Sequence, residues 1–157
     1  AGVSGDVVKK ANSQALYYLG SDSKLHNFPS LQVYQTWYSS FAGVKTLSDT
    51  EFNSYAFGEN VFPKAGVKLV QAVDGDTPWH VANPKVYALT GDGILRQIMS
   101  ADVAVALYGA NWESKIIPVP VSTFSQYKST GADINVAADY NVANETAAYA
   151  NVNAVKD

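Results

Sequence analysis

Cysteine is absent from the 157 residues, which excludes disulfides, thiol catalysis and thiolate-ligated zinc. Charge is scarce as well. Asp, Glu, Lys and Arg make up 16% of the chain, against roughly 25% in ordinary soluble domains. The net charge is −3 and the pI about 5.2. Lys9 and Lys10 form the only basic pair, so no phosphate-tracking nucleic-acid surface is expected. No apolar run reaches the length of a membrane span. There is no initiating Met; the chain opens at Ala1 without a signal peptide, which reads as a processed or trimmed N-terminus. What is plentiful is apolar and aromatic. Hydrophobic residues are 47%, with ten Tyr and three Trp, enough to bury a core at this length. A low-charge, Tyr-rich surface also suits contact with other surfaces.

The chain repeats itself. At an offset of 70, Tyr17 aligns with Tyr87, Leu19 with Leu89, Asp22 with Asp92 and Leu25 with Leu95. Ser30 with Ser100, Val33 with Val103, Tyr38 with Tyr108 and Lys45 with Lys115 continue the series. A two-residue insertion then shifts the offset to 72, pairing Phe52 with Phe124 and Tyr55 with Tyr127. Ordered identities with one small gap identify a duplicated unit. The repeats, about 15–55 and 85–127, each begin with two apolar runs around a Gly/Asp/Ser turn, the pattern of a β-hairpin.

Ser30 and Ser100 then stand at helix N-cap positions, and Gly109 at a C-cap. Leu31, Val33, Tyr34 and Trp37 space onto one helical face, as do Val103, Ala106 and Leu107. Ser48 and Glu51 read as a capping box opening a second short helix. Between the repeats, 67–82 reads as an extra hairpin turning at Asp74, Gly75 and Asp76, with Pro78 marking an edge or bulged return strand. Residues 132–157, rich in Ala, Asn and Val, have little periodicity and are expected to form an arm or linker beyond a 1–131 domain. The expected class is α+β: two pseudo-repeats of β-hairpin plus short helices around small antiparallel sheets, with an extended C-terminal arm.

Several stretches carry a family resemblance. In the first half these are Tyr17-Tyr18-Leu19, His26-Asn27-Phe28-Pro29 and Thr36-Trp37-Tyr38-Ser39-Ser40-Phe41. In the second half they are Pro84-Lys85-Val86-Tyr87-Ala88, Leu95-Arg96-Gln97-Ile98 and Ala106-Leu107-Tyr108-Gly109-Ala110-Asn111-Trp112. Together they resemble the hairpin and helix-end motifs of uncharacterised, secreted cell-surface repeat proteins of candidate-phyla bacteria. The resemblance runs from about Val7 to Tyr127. It departs at 74–81, where a short connection is usual, and at His26, where a basic residue is usual. It implies export to the cell surface and carries no chemistry.

Candidate sites are few. His26 and His80 each fall in a predicted strand with no second His nearby, the setting of a hydrogen-bonded strand histidine rather than a metal ligand or general base. Asp74-Gly75-Asp76 and Gly91-Asp92-Gly93 fit tight turns better than calcium loops, which need oxygen ligands at alternating positions; calcium is the one cofactor left open. No nucleophile elbow, Ser-x-x-Lys motif or phosphate loop occurs. Asp49, Glu51 and Glu113 stand at helix starts rather than as a facing pair. No catalytic residue is assigned, and an enzyme is not expected. Trp37 and Trp112 lie beside predicted helices and read as core. That leaves Trp79 and His80 as contact candidates in the extra hairpin, and Tyr140 and Tyr149 in the arm. Asn144-Glu145-Thr146 matches a glycosylation sequon.

These features favour a non-enzymatic, extracellular structural protein: a subunit or N-terminal module of a self-assembling surface layer, sheath or filament. Its partner would be its own kind, in a homo-oligomer or lattice, with the arm adding to a neighbour's sheet. The alternative is a carbohydrate or cell-wall binding module of a larger secreted protein, with Trp79 and surface Tyr stacking on glycans. A hydrolase of wall polymers is the third reading.

Overall fold

The computed structural model describes residues 2–73, 85–91, 93–120, 124, 126–127, 129–149 and 151–152. They fall into two compact units: Ala1–Phe62 with Ala150–Asp157, and Pro63–Tyr149. No helix among the described residues is long and apolar enough to cross a membrane.

The first unit holds β1 (Val7–Lys10), β2 (Tyr17–Leu19), β3 (Lys24–Asn27), α1 (Leu31–Trp37), β4 (Lys45–Leu47), α2 (Asp49–Phe52) and β5 (Ala56–Phe57). Its sheet runs β4-β1-β2-β3-β5. The three central strands are antiparallel, while β4 lies parallel to β1 and β5 parallel to β3. Parallel neighbours need a crossover, and α1 and α2 supply it.

The second unit holds β6 (Leu69–Val73), β7 (Val86–Thr90), β8 (Ile94–Ile98), α3 (Ala101–Tyr108), β9 (Ile116–Pro120), β10 (Ser129–Thr130) and α4 (Val142–Ala148). Read from β9, its sheet order is β9-β6-β7-β8-β10, with the same alternation of parallel and antiparallel pairs. The duplication is therefore a complete five-stranded α+β unit, larger than the hairpin and helix legible in the sequence.

Local chemistry recurs with it. The Ser30 and Ser100 side chains accept the N–H groups of Val33 and Val103, at nearly the same backbone angles. Ser48 caps α2 through Glu51 N–H, while Glu51 Oε1 takes the N–H of Gly2. The hairpin turns use positive φ at equivalent positions, Ser23 at 60° and Gly93 at 76°.

The strand register corrects the sequence alignment in three places. First, the leading strand of the 67–82 stretch belongs to the second repeat. Leu69–Val73 is the opening strand of the second repeat, equivalent to β1: Val8 pairs with Tyr17 as Val70 pairs with Tyr87. The expected return strand lies outside the described residues. Second, Lys45 does not correspond to Lys115. Val8 pairs with Lys45 where Val70 pairs with Ile117, so the two-residue shift precedes this strand. Third, the repeats extend past 55 and 127. Gly58 N–H bonds Leu25 O and Val61 N–H bonds Asn27 O; Gly131 N–H bonds Leu95 O and Ile134 N–H bonds Gln97 O. Two residues this far into the following loop occupy the same place in both units.

Both faces of each sheet are covered. On the α2 side of the first, Val8, Leu19, Leu25, Leu47 and Phe52 cluster. Their counterparts Val70, Leu89, Leu95, Val119 and Phe124 cluster in the second, with little change of side chain. The α1 side has diverged. Tyr18 and Tyr34 fill it in the first unit, and alanines 88 and 104 stand in their places in the second. The lost volume is replaced from outside the repeat by Tyr140, 3% exposed, whose hydroxyl donates to Leu89 O at 2.6 Å. Val152, 1% exposed, joins the corresponding core of the first unit.

The extended arm is thus not found where the structure is described. Ile134 bridges to Ile98, α4 follows, and the Thr146 hydroxyl donates to Ala65 O. Low hydrophobicity hid this, because one aromatic and a few small residues suffice when a cavity is ready to receive them.

The helical faces differ in detail as well. Leu31 is 53% exposed, and Ala104 rather than Ala106 turns inward.

Candidate functional site

Among the described residues, no three of His, Asp and Glu come together as a metal-holding group. His26 is buried and engaged. Its Nδ1 lies 2.7 Å from Glu59 O, which can only accept, and its Nε2 lies 3.2 Å from both Asp22 carboxylate oxygens. Burial raises the Asp22 pKa, but hydrogen bonds from His26 and Lys24 N–H outweigh it and leave the group below its usual value. Arg96 sits at the equivalent position and donates from Nε to Ala132 O at 2.8 Å. In both repeats, then, this side chain holds the loop after the last strand. That is a structural task.

The first unit holds a groove of about 810 Å³, within the range of small-ligand sites. It opens where the ends of β1, β2 and β3 meet the start of α1. Phe28 and Leu16 form part of an apolar floor, with Leu31 and Phe41 at its margin. Phe41 is 53% exposed, and one side of its ring is stacked on Tyr34 at 5.1 Å and 4°. Tyr34 is pinned in turn by Tyr38 at 5.1 Å, by the edge of Phe28 and by a hydroxyl bond to Ser40 O. Burial raises the Tyr38 hydroxyl to a pKa of about 12, so this stack stays neutral.

Polar groups also line the groove. Lys9 and Asn27 are half-buried and Gln14 is exposed. The Lys9 ammonium has no carboxylate in ion-pair range among the described residues. The Asn27 and Gln14 side-chain amides make no hydrogen bond there either. These donors and acceptors are open to a ligand entering the groove.

A smaller groove of about 310 Å³ occupies the same place in the second unit. Val86, Gln97, Ile98, Ser100 and Ala101 line it where Leu16, Asn27, Phe28, Ser30 and Leu31 line the first. Its aromatic wall is Trp112, which, like Phe41, comes from the connection after the helix. Sequence reasoning assigned Trp112 to the core alone. It does pack beside a core cluster, but it is only half-buried. The aromatic-rich helix ends of the two repeats were the signal that could have revealed the grooves.

The contact candidates from sequence do not converge on this feature. Trp79 and His80 lie outside the described residues, as do the Asp74-Gly75-Asp76 turn and Asp92. Tyr140 is a core residue. Tyr149 is half-buried against the other core of its unit. Asn144 is exposed in the first turn of α4, while the Thr146 of its sequon is turned inward to Ala65 O.

No family model, curated protein or solved structure matches the chain.

Proposed function

We propose that the chain is a non-enzymatic glycan-binding module of the cell surface, presenting one groove in each repeat. The observation that carries this reading is the recurrence of a groove in one place of both units, with an aromatic wall and an unpartnered side-chain amide each time. Aromatic faces stack on the C–H faces of sugars, and amides pair with hydroxyls, so the combination suits a saccharide. A glycan array probed with the folded chain tests it. Binding should appear for the native chain and fall at least tenfold in the Phe41→Ala, Trp112→Ala double variant. A blank array, repeated with insoluble wall polymers in a pull-down, removes the reading.

Self-assembly into a surface layer, sheath or filament is a second reading, favoured by one observation. The edge strand β5 carries Phe57, 62% exposed, and exposed apolar edges invite pairing with another chain. Sedimentation at rising concentration tests it: assembly in the native chain should be abolished by Phe57→Lys.

A further inference from the structure

We infer that the groove of the first unit selects acidic saccharides, sugars bearing a carboxylate, with Lys9 as the charge-reading residue. This rests on the glycan reading above and goes a step beyond it.

Three observations converge. The chain has more acids than bases, 14 against 11, yet among the described residues no carboxylate lines either groove. Each groove does have one lysine, Lys9 in the first and Lys85 in the second. These are not equivalent residues. The register sets Lys9 against Gln71, and the offset of the hairpin sets Lys85 against Ala15. The two lysines nevertheless enter from the same end of the sheet. Continuing the pairing of Val8 with Tyr17 places Lys9 opposite Leu16, next to position 15. The charge has kept its place while the position in the sequence has changed. A fold remnant would keep the position; a requirement of the ligand keeps the place.

The third observation is the setting of Lys9. It is half-buried beside Asn27, and no carboxylate among the described residues answers it. An ammonium in partly desolvated surroundings gains from an anion brought to it. Phe41 supplies a platform fixed by its stack on Tyr34. A pyranose ring against Phe41, its hydroxyls on Asn27 and its carboxylate on Lys9 would use the platform, the amide and the charge together.

The test titrates the full chain with oligogalacturonate and with its methyl ester, which keeps the ring and removes the charge. Calorimetry reads both. The acid should bind about five- to tenfold more tightly, the range of one partly buried ion pair, and the preference should shrink as salt is added. Lys9→Gln should abolish the preference, so that acid and ester bind the variant equally. Lys10→Gln, altered on a lysine paired with Asp49, serves as the folding and charge control and should keep the preference. Equal affinities for acid and ester, or a preference that survives Lys9→Gln, overturn the inference and leave the glycan reading standing. If neither form binds while the native chain remains folded by circular dichroism, the inference falls, and the glycan array alone decides the wider reading.

Discussion

Tyr140 completes a core whose other members were fixed some distance away in the chain. Alanines at 88 and 104 open the space, and one ring closes it with a hydrogen bond to Leu89 O. Tyr140→Ala should cost about 3–5 kcal/mol in urea unfolding, and Tyr140→Phe about 1 kcal/mol. Returning bulk to the repeat, with Ala104→Tyr added to Tyr140→Ala, should recover part of the loss. At the surface, Asp6 accepts from Lys45 Nζ and from Val3 N–H, each at 2.8 Å. Burial raises its pKa, but these partners outweigh that and hold it below the usual aspartate range. A depressed carboxyl stabilises the fold above its unfolded pKa and loses that contribution as pH falls through its folded one. Asp6→Asn should therefore be less stable than the native chain at neutral pH, and the gap should close below about pH 4. At this scale the sequence was legible where the cause is local. The serine caps and the C-cap glycine depend on a few neighbouring atoms. The burial of Tyr140 depends on cavities that no neighbouring residue announces.

Among elements, the short edge strands β5 and β10 are held by the loops that follow them. His26 reaches Glu59 O and Arg96 reaches Ala132 O. Gly58 and Gly131 lie against these side chains. A methyl at Gly58 would collide with the enclosed imidazole, whereas one at Gly131 would meet the arginine methylenes at 3.2 Å, which can yield. Gly58→Ala should cost about 1–3 kcal/mol and Gly131→Ala clearly less, by the same denaturation assay. These strands are two residues long, too short for any periodic pattern. The equivalence of the two opening strands escaped notice for another reason. Of the paired positions in β1 and β6 only Val8 and Val70 are identical, and the longer connection in the second repeat moves them off the offset of the hairpin. The grooves were half legible: their aromatic walls and Asn27 fell within the quoted motifs, but Lys9 belongs to none and meets Asn27 only through the strand register.

In the molecule as a whole, divergence is one-sided. The α2 faces keep Val, Leu, Leu, Phe and Tyr at matching positions, while the α1 faces, next to the grooves, were rebuilt. One side maintains the unit and the other has been free to acquire its own contents. Each unit has its own core, so a lesion in one should be felt there first. In hydrogen exchange, Tyr140→Ala should lower amide protection across β6, β7 and β8 and spare β1, β2 and β3.

Val152 carries a consequence for biogenesis. The core of the first unit waits for a residue made only after the whole of the second unit, whose own core waits for Tyr140. A nascent chain leaving a ribosome N-terminus first would hold the second unit unfinished until Tyr140 emerged and the first until Val152 followed. The half that is made first would therefore be the half that closes last.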